Sequence, residues 1–354
     1  MRMLAPRQRI IQIHPTLKCN LLCKHCYSTS GPSEWQTMEL DTLCRVVKDA
    51  HEMGYEVLSV SGGEPLLYRH LDEVLAVAKS LGMGTTITTN GTLLDRERCE
   101  RLRGLVDICA ISLDGPPDLH NEIRNSSQAF DRLLSGLRSI KAVGVPFGVI
   151  HTLTRRSWDH LLWIAEFAAA QGSSLLQIHP LELIGRAASE MAVDSPDDDV
   201  LCRTYLLSLA LLAKYGNSMR IQLDVIDRES LLSLPEVAAP LDSTVDPTLI
   251  PAADLVNPLV VEPLGRVVPV SYGFSREYQI CDLRHQTLKE AWLGFLRKGY
   301  PQYRDLCNHV LAEHVKGSNR QLFSWYELLV KHSVEGNWGE PLEDWQRPVE
   351  VSGV

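Results

Sequence analysis

The sequence predicts an α/β protein: six βα units forming a parallel sheet within residues 10–215, followed by a smaller α+β C-terminal region. Three observations lead there. Between Ile10 and about Leu183, short runs rich in Ile, Val, Leu or Thr alternate with segments of helical period. Glycines stand just beyond the helical segments, at Gly54, Gly82, Gly144 and Gly172, where a left-handed cap conformation suits them. With 354 residues, 45% apolar and 22% charged, the chain can bury one large core and carry an appendage.

The predicted strands are Ile10–Pro15, Val57–Ser61, Thr85–Thr89, Ile108–Leu113, Phe147–Thr152 and Leu175–Leu181. Helical patterns follow near 39–53, 70–81, 94–103, 128–143, 157–171 and 197–214. Residues 187–196 and the proline-rich stretch 235–257 read as loops or linkers. Beyond them, residues 258–283 read as a hairpin turning at Leu264-Gly265, and 287–297, 303–315 and 320–333 as helices. The division is therefore a lead-in (1–9), a core (10–215), a linker (216–257), an extension with helices (258–336) and a tail (337–354).

A net charge of −9 with scattered basic residues argues against a nucleic-acid partner. No run reaches the roughly 18 apolar residues of a membrane span, and the start, MRMLAPRQR, lacks a signal-peptide core, so a cytoplasmic protein with no membrane partner is expected. There, nine cysteines read as reduced thiols or metal ligands rather than disulfides.

Cys19, Cys23 and Cys26 form C-x3-C-x2-C after the first strand, a spacing that lets three thiolates converge on one centre. A closed zinc site wants four ligands, so three leave a position open for something exogenous, as on a three-cysteine iron–sulfur cube. A zinc site completed by His14 or His25 is the alternative. The second feature, Ser61-Gly62-Gly63-Glu64-Pro65, ends the second strand, where glycines allow close backbone approach and a carboxylate can accept from an amine. Asn90, Ser112, Asp114 and His151 to Thr154 repeat this placement at later strand ends, the edge where ligand sites of parallel α/β folds gather. Arg124 is either a surface charge or a fork for a carboxylate.

On these motifs the chain resembles the radical S-adenosylmethionine (SAM) superfamily over about residues 10–186. AISLDGPPDLHNEIRN and IHTLTRRS look like its peptide-modifying branch, which includes anaerobic sulfatase maturases and the pyrroloquinoline quinone maturase. The resemblance implies a partial (β/α)6 TIM-like barrel holding one 4Fe-4S cluster on Cys19, Cys23 and Cys26. It implies that Gly62, Gly63 and Glu64 contact the SAM amine, Ser112 the ribose region and Arg124 the carboxylate, with Asn90 and Asp114 lining the cavity and His25 and Leu181 near the adenine. It further implies reductive SAM cleavage to a 5′-deoxyadenosyl radical, hydrogen abstraction from a substrate, and an electron donor such as flavodoxin or ferredoxin.

The C-terminal region departs from that branch. LGRVVPVSY places Val270 where a cysteine of the branch would stand, and only Cys281 and Cys307 lie beyond residue 202. A degenerate SPASM/twitch-like extension without auxiliary clusters is expected. Three functions compete: modification of a ribosomally made peptide, with a separate recognition protein as a candidate partner to deliver it, in natural-product biosynthesis; radical chemistry on a small metabolite, such as decarboxylation or epimerisation; and a non-catalytic metal-binding protein, which would have no use for the polar strand ends.

Overall fold

A computed structural model describes residues 8–233 and 245–335. Most of the lead-in, the prolines Pro235 and Pro240 of the linker, and the tail from 337 lie outside the described residues.

The six predicted strands form, as β1 (Ile10–Ile13), β2 (Val57–Val60), β3 (Gly84–Thr89), β4 (Ile108–Ser112), β5 (Phe147–Leu153) and β6 (Leu175–Pro180). They pair in sequence order and all in parallel. Each crossover carries a helix: α1 (Leu40–Glu52), α2 (Leu71–Ser80), α3 (Arg96–Leu102), then α4 (Pro117–Ile123) with α5 (Ala129–Val143), and α6 (Leu161–Gln171). The sequence reading missed α4, because Asp114-Gly115-Pro116 signals a turn and the helix behind it has only seven residues.

Three departures follow. The segment read as a loop at 187–196 contains a short helix, α7 (Arg186–Glu190), and a turn of 3-10 helix at Ala192–Asp194. After α8 (Asp198–Tyr215), the stretch taken as linker opens with β7 (Arg220–Leu223), a seventh parallel strand beside β6. Four residues are too short a period to read, yet Ile221 and Leu223 bury against the helices as Leu176 and Ile178 do. The small β8 (Ile226–Asp227) and α9 (Arg228–Ser233) follow, and α10 (Ala252–Leu255) ends the linker.

The hairpin forms as predicted, β9 (Leu259–Val261) against β10 (Arg266–Pro269), with β11 (Cys281–Asp282) added. Its place was not predicted. β9 pairs in parallel with β1, so the extension continues the main sheet in the order β11-β10-β9-β1-β2-β3-β4-β5-β6-β7. The apolar LVV of β9, buried at all three positions, gains a neighbour on each side. The helices expected at 287–297 and 303–315 are one, α11 (Leu288–Val310), opened by a Thr287/Glu290 capping box. Pro301 removes one hydrogen bond inside it. Phe295, Tyr300, Tyr303, Leu306 and Val310 remain buried on either side, and that packing carries the helix through. A last small strand, β12 (Leu322–Phe323), pairs with β8, and α12 (Trp325–Glu335) packs on α11.

Alternation fixes the two faces of the sheet. Ile11, Ile13, Leu58, Val60, Ile87, Cys109, Ile111, Val149, Leu153, Leu176 and Ile178 belong to one buried core under the helices. The opposite face carries Gln12, Ser59, Thr86, Thr88, Thr152, Gln177, His179 and Gln222, all half-buried. That face is the open, polar lumen of a partial barrel whose edge strands β7 and β11 do not pair with each other. His151, placed by sequence with the ligand-facing group, points the other way: it packs among the helices, its Nδ1 3.0 Å from the Leu113 carbonyl and its Nε2 3.1 Å from Ser157 Oγ.

Candidate active site

The cysteine loop leaves β1 and is sewn to the Ser61–Pro65 turn beyond β2. Gly63 N donates to Thr16 O at 2.8 Å and Glu64 N to Lys18 O at 2.9 Å. The glycines make this approach possible: Gly62 has φ +116°, and a Cβ on Gly63 would lie 2.3 Å from Lys18 O. The amides of Gly63 and Glu64 thus serve the neighbouring loop.

Glu64 is wholly buried. Its Oε1 accepts from Thr89 Oγ1 at 2.7 Å and Leu66 N at 3.2 Å, and its Oε2 from Asn90 N at 2.9 Å. Burial raises its pKa, with those hydrogen bonds opposing. The carboxylate expected to face an amine therefore first ties the turn after β2 to the end of β3. Asn90 is held in turn, its Oδ1 accepting from Thr92 N, while its Nδ2 donates to Asn20 at 2.9 Å and reaches Cys19 Sγ at 3.9 Å.

Asp114, after β4, is fully buried and central. Arg124 Nε donates to its Oδ2 at 2.6 Å, His25 Nε2 lies 3.3 Å from the same oxygen, and His120 Nδ1 lies 3.7 Å away. Burial alone would raise this carboxyl, but the Arg124 charge together with the His25 and His120 rings outweighs it, and they hold Asp114 well below the ordinary carboxylate range. Asp114 Oδ1 has no hydrogen-bond partner among the described residues. Arg124, at the end of α4, is neither a surface charge nor a free fork: it is buried in that pair, with Nη1 3.7 Å from Cys23 Sγ.

Ser112 faces the lumen at the end of β4, two residues from Ala110 on the same face. Leu181 packs in a small apolar cluster with Ile123, Ala187 and Met191. The structure thus gathers Cys19, Cys23, His25, Glu64, Asn90, Asp114 and Arg124 into one connected network, with Ser112 at the end of β4 and Leu181 just after β6.

Sequence reasoning missed Arg186. From α7 it donates Nε to Cys23 O at 3.0 Å and Nη2 to Ser30 O at 2.7 Å, and its backbone N donates to Cys26 O at 3.0 Å, clamping the cysteine loop. A single arginine just ahead of a segment read as loop gives no signal. It missed Tyr27 as well, whose hydroxyl lies 3.0 Å from Ser61 Oγ and whose ring meets His14 and Tyr272 edge-on.

At the far side of the lumen, His179 lies 3.1 Å from Asp224 and 3.3 Å from Glu182. Burial lowers its pKa, but the two carboxylates prevail and hold it well above the ordinary value.

Cys19, Cys23 and Cys26 pack together with Leu21, and the first two are buried. Each sulfur has a polar neighbour: Asn90 at Cys19, Arg124 at Cys23, and Ser28 Oγ 3.5 Å from Cys26. Burial pushes the Cys19 thiol up to about 12 and raises Cys23 too, so metal coordination must displace those protons. Among the described residues no three His, Cys, Asp or Glu side chains are disposed to hold a single ion. Three thiols packed together on one loop suit an iron–sulfur cluster held by cysteines.

Residues 13–168 match the Radical SAM superfamily. The chain carries a radical SAM domain. Over 190 residues, 52% of this chain and 48% of the relative, it is 32% identical to the AdoMet-dependent heme synthase of Oleidesulfovibrio alaskensis. It is 31% identical over 177 residues, 48% of this chain and 46% of the relative, to the PqqA peptide cyclase of Granulibacter bethesdensis. The chain spans about half the length of the curated relatives it matches. The solved structure of native anSMEcpe with bound AdoMet aligns at a TM-score of 0.62 and 16% identity, covering 92% of this chain and 96% of that one, a likeness of fold. The alignment runs past the radical SAM domain into the extension, in keeping with the single continuous sheet.

Proposed function

We propose that the protein is a cytoplasmic radical SAM enzyme that modifies a ribosomally made peptide in natural-product biosynthesis, with Cys19, Cys23 and Cys26 holding one 4Fe-4S cluster. The observation that supports it most is the joining of that cysteine loop, the Gly62–Pro65 turn and the Asp114–Arg124 pair into one network at the C-terminal edge of a parallel sheet. When bound, the cluster and SAM supply a 5′-deoxyadenosyl radical, and the protein's part is binding, orientation and exclusion of water.

In this reading Asp114 Oδ1, buried without a hydrogen-bond partner among the described residues, faces a polar group of bound SAM, and the carbonyl of Gly62 or Gly63 meets its amine. Glu64 holds that turn in place. Ser112 contacts the ribose, and His25, Leu181 and Asn90 close the pocket. An external one-electron donor, such as flavodoxin or ferredoxin, supplies the electron.

A peptide fits the lumen because its half-buried side chains are mostly neutral hydrogen-bonding groups, suited to amides, and because the carboxylates beside His179 repel anionic substituents. The likeness to a heme synthase supports a second reading, a small metabolite in cofactor biosynthesis. Anaerobic reconstitution should load about four irons per chain, and SAM with dithionite should then yield 5′-deoxyadenosine. A Cys19→Ala, Cys23→Ala, Cys26→Ala triple variant that kept its cluster would sink the assignment. Deuterium carried from labelled substrate into 5′-deoxyadenosine separates the two substrate classes: transfer from a precursor peptide supports the first, transfer from a tetrapyrrole the second.

A further inference from the structure

We propose that Tyr272, on the extension, covers the cluster ligand Cys26 from the lumen and, together with Tyr27, keeps solvent and dioxygen away from the bound cluster. This rests on the reading of Cys19, Cys23 and Cys26 as cluster ligands. Cys19 and Cys23 are buried, but Cys26 is only half-buried, so cover for its sulfur has to come from beyond the loop. The ring that supplies it is Tyr272. It meets Tyr27, the residue after Cys26, edge-on with centroids 5.5 Å apart, and lies over His14 at 5.0 Å. His14 shares the lumen face of β1 with Gln12, so Tyr272 stands on that face too. Between the two tyrosines His14 is 0% exposed. Burial raises the Tyr272 phenol, with Glu262, Tyr27 and Cys26 adding to the rise and Arg266 opposing it, which sets all four near the ring.

The turn that carries Tyr272 holds it there. Val270, a β-branched residue, adopts φ +53°, a left-handed conformation that costs energy and persists only where the surroundings over-determine it. They do so here: Val270 N donates to Pro258 O at 2.8 Å and Gly273 N to Glu262 Oε1 at 3.0 Å, with Glu262 itself 3.3 Å from Arg266. The turn also reaches across the open side of the barrel. A Cβ on Gly273 would lie 3.3 Å from Ile184 Cγ2, beyond β6, although β10 and β6 stand on opposite sides of β1 in the sheet. The next residues of that loop clasp the cysteines: a Cβ on Gly185 would lie 2.7 Å from Cys26 O, and Arg186 N donates to the same carbonyl at 3.0 Å. Extension, post-β6 loop and cysteine loop thus meet at Cys26.

A gap at Tyr272 opens a path from the lumen to the cluster, and loss of a cluster to dioxygen or a chelator follows the exposure of its ligands. The ring provides the cover, not the hydroxyl, so phenylalanine should serve as well as tyrosine.

The experiment follows the cluster absorbance of the reconstituted holoenzyme without SAM, once in air-saturated buffer and once anaerobically with a ferrous chelator, with iron content and Tm measured on the same samples. Wild-type iron content and absorbance test the cluster reading by itself. Tyr272→Ala should load iron as the wild type does and lose its cluster several-fold faster in both arms, and Tyr272→Phe should restore the wild-type rates. Leu296→Ala, in the main core and outside the apolar group formed by the cysteines, lowers Tm without touching the cover and should lose its cluster at the wild-type rate. Wild-type rates in Tyr272→Ala overturn the proposal. So does equal acceleration in Leu296→Ala, which would make the effect a general loosening, or in Tyr272→Phe, which would assign it to the hydroxyl. If Tyr272→Ala does not fold or load iron, Tyr272→Val decides by the same outcomes.

Discussion

Replacing Glu64 by Ala tests the central joint of the site. The carboxylate is 0% exposed and receives hydrogen bonds from Thr89 Oγ1, Asn90 N and Leu66 N. The Thr89 hydroxyl can rotate toward another acceptor, whereas the Asn90 amide is fixed at the end of β3 and left unsatisfied. A buried donor without a partner costs about 1–3 kcal/mol, and hydrogen bonds to an ionised group are worth about 1.5–3 kcal/mol each. Glu64→Ala should therefore destabilise the protein by about 3–5 kcal/mol, a fall in Tm of roughly 5–10 °C. Glu64→Gln retains one acceptor oxygen but sets an amide N–H against Asn90 N, and should fall between the two. Because Asn90 Nδ2 approaches Cys19 Sγ, iron retention should drop together with stability. The assay is thermal unfolding of the apoprotein beside iron content after reconstitution. A Glu64→Ala variant with wild-type Tm and full iron, deficient only in 5′-deoxyadenosine, would refute this account and make Glu64 a direct SAM contact.

Gly63→Ala should be severe, since its methyl would meet three main-chain atoms of Leu17 and Lys18 within 2.8 Å; expect at least about 2 kcal/mol of destabilisation and poor iron loading by absorbance, with near-normal loading counting against the packing argument. Burial lowers His14 to about 3, His120 to about 4 and His151 to about 4, so the stability these neutral rings permit is intact above their unfolded value and lost as pH falls from 6.5 toward those values. With three such groups the slope approaches roughly 4 kcal/mol per pH unit, and urea midpoints unchanged between pH 7.5 and about 5 would refute it. Cys281→Ser and Cys307→Ser each put a hydroxyl into the core, costing about 1–3 kcal/mol while leaving iron content unchanged; iron loss in either would mark it as a ligand. Arg186→Ala removes the Cys23 and Ser30 carbonyl bonds and should hasten iron loss to a chelator without changing the initial iron content.

The sequence by itself determined the six parallel strands, most of their helices and the gathering of three cysteines in one loop after β1, because these rest on local signals: apolar period, capping glycines and ligand spacing within one loop. It also placed Ser112, Asp114 and Asn90 correctly at strand ends, where alternation along a strand sets direction. Tertiary structure alone decided that β9 joins β1, that Arg220–Leu223 is a seventh strand of the sheet, and that one helix runs through Pro301. In each case the stabilising partner lies far along the chain, and a short or interrupted segment carries too little local preference to announce it. Side-chain pairing is the sharpest instance. Nothing in the order of residues says that Arg124 will spend its charge on Asp114 and Cys23, or that Glu64 will be consumed by Thr89 and Asn90, because a buried charge takes the partner that packing brings within reach, and packing is a property of the whole sheet.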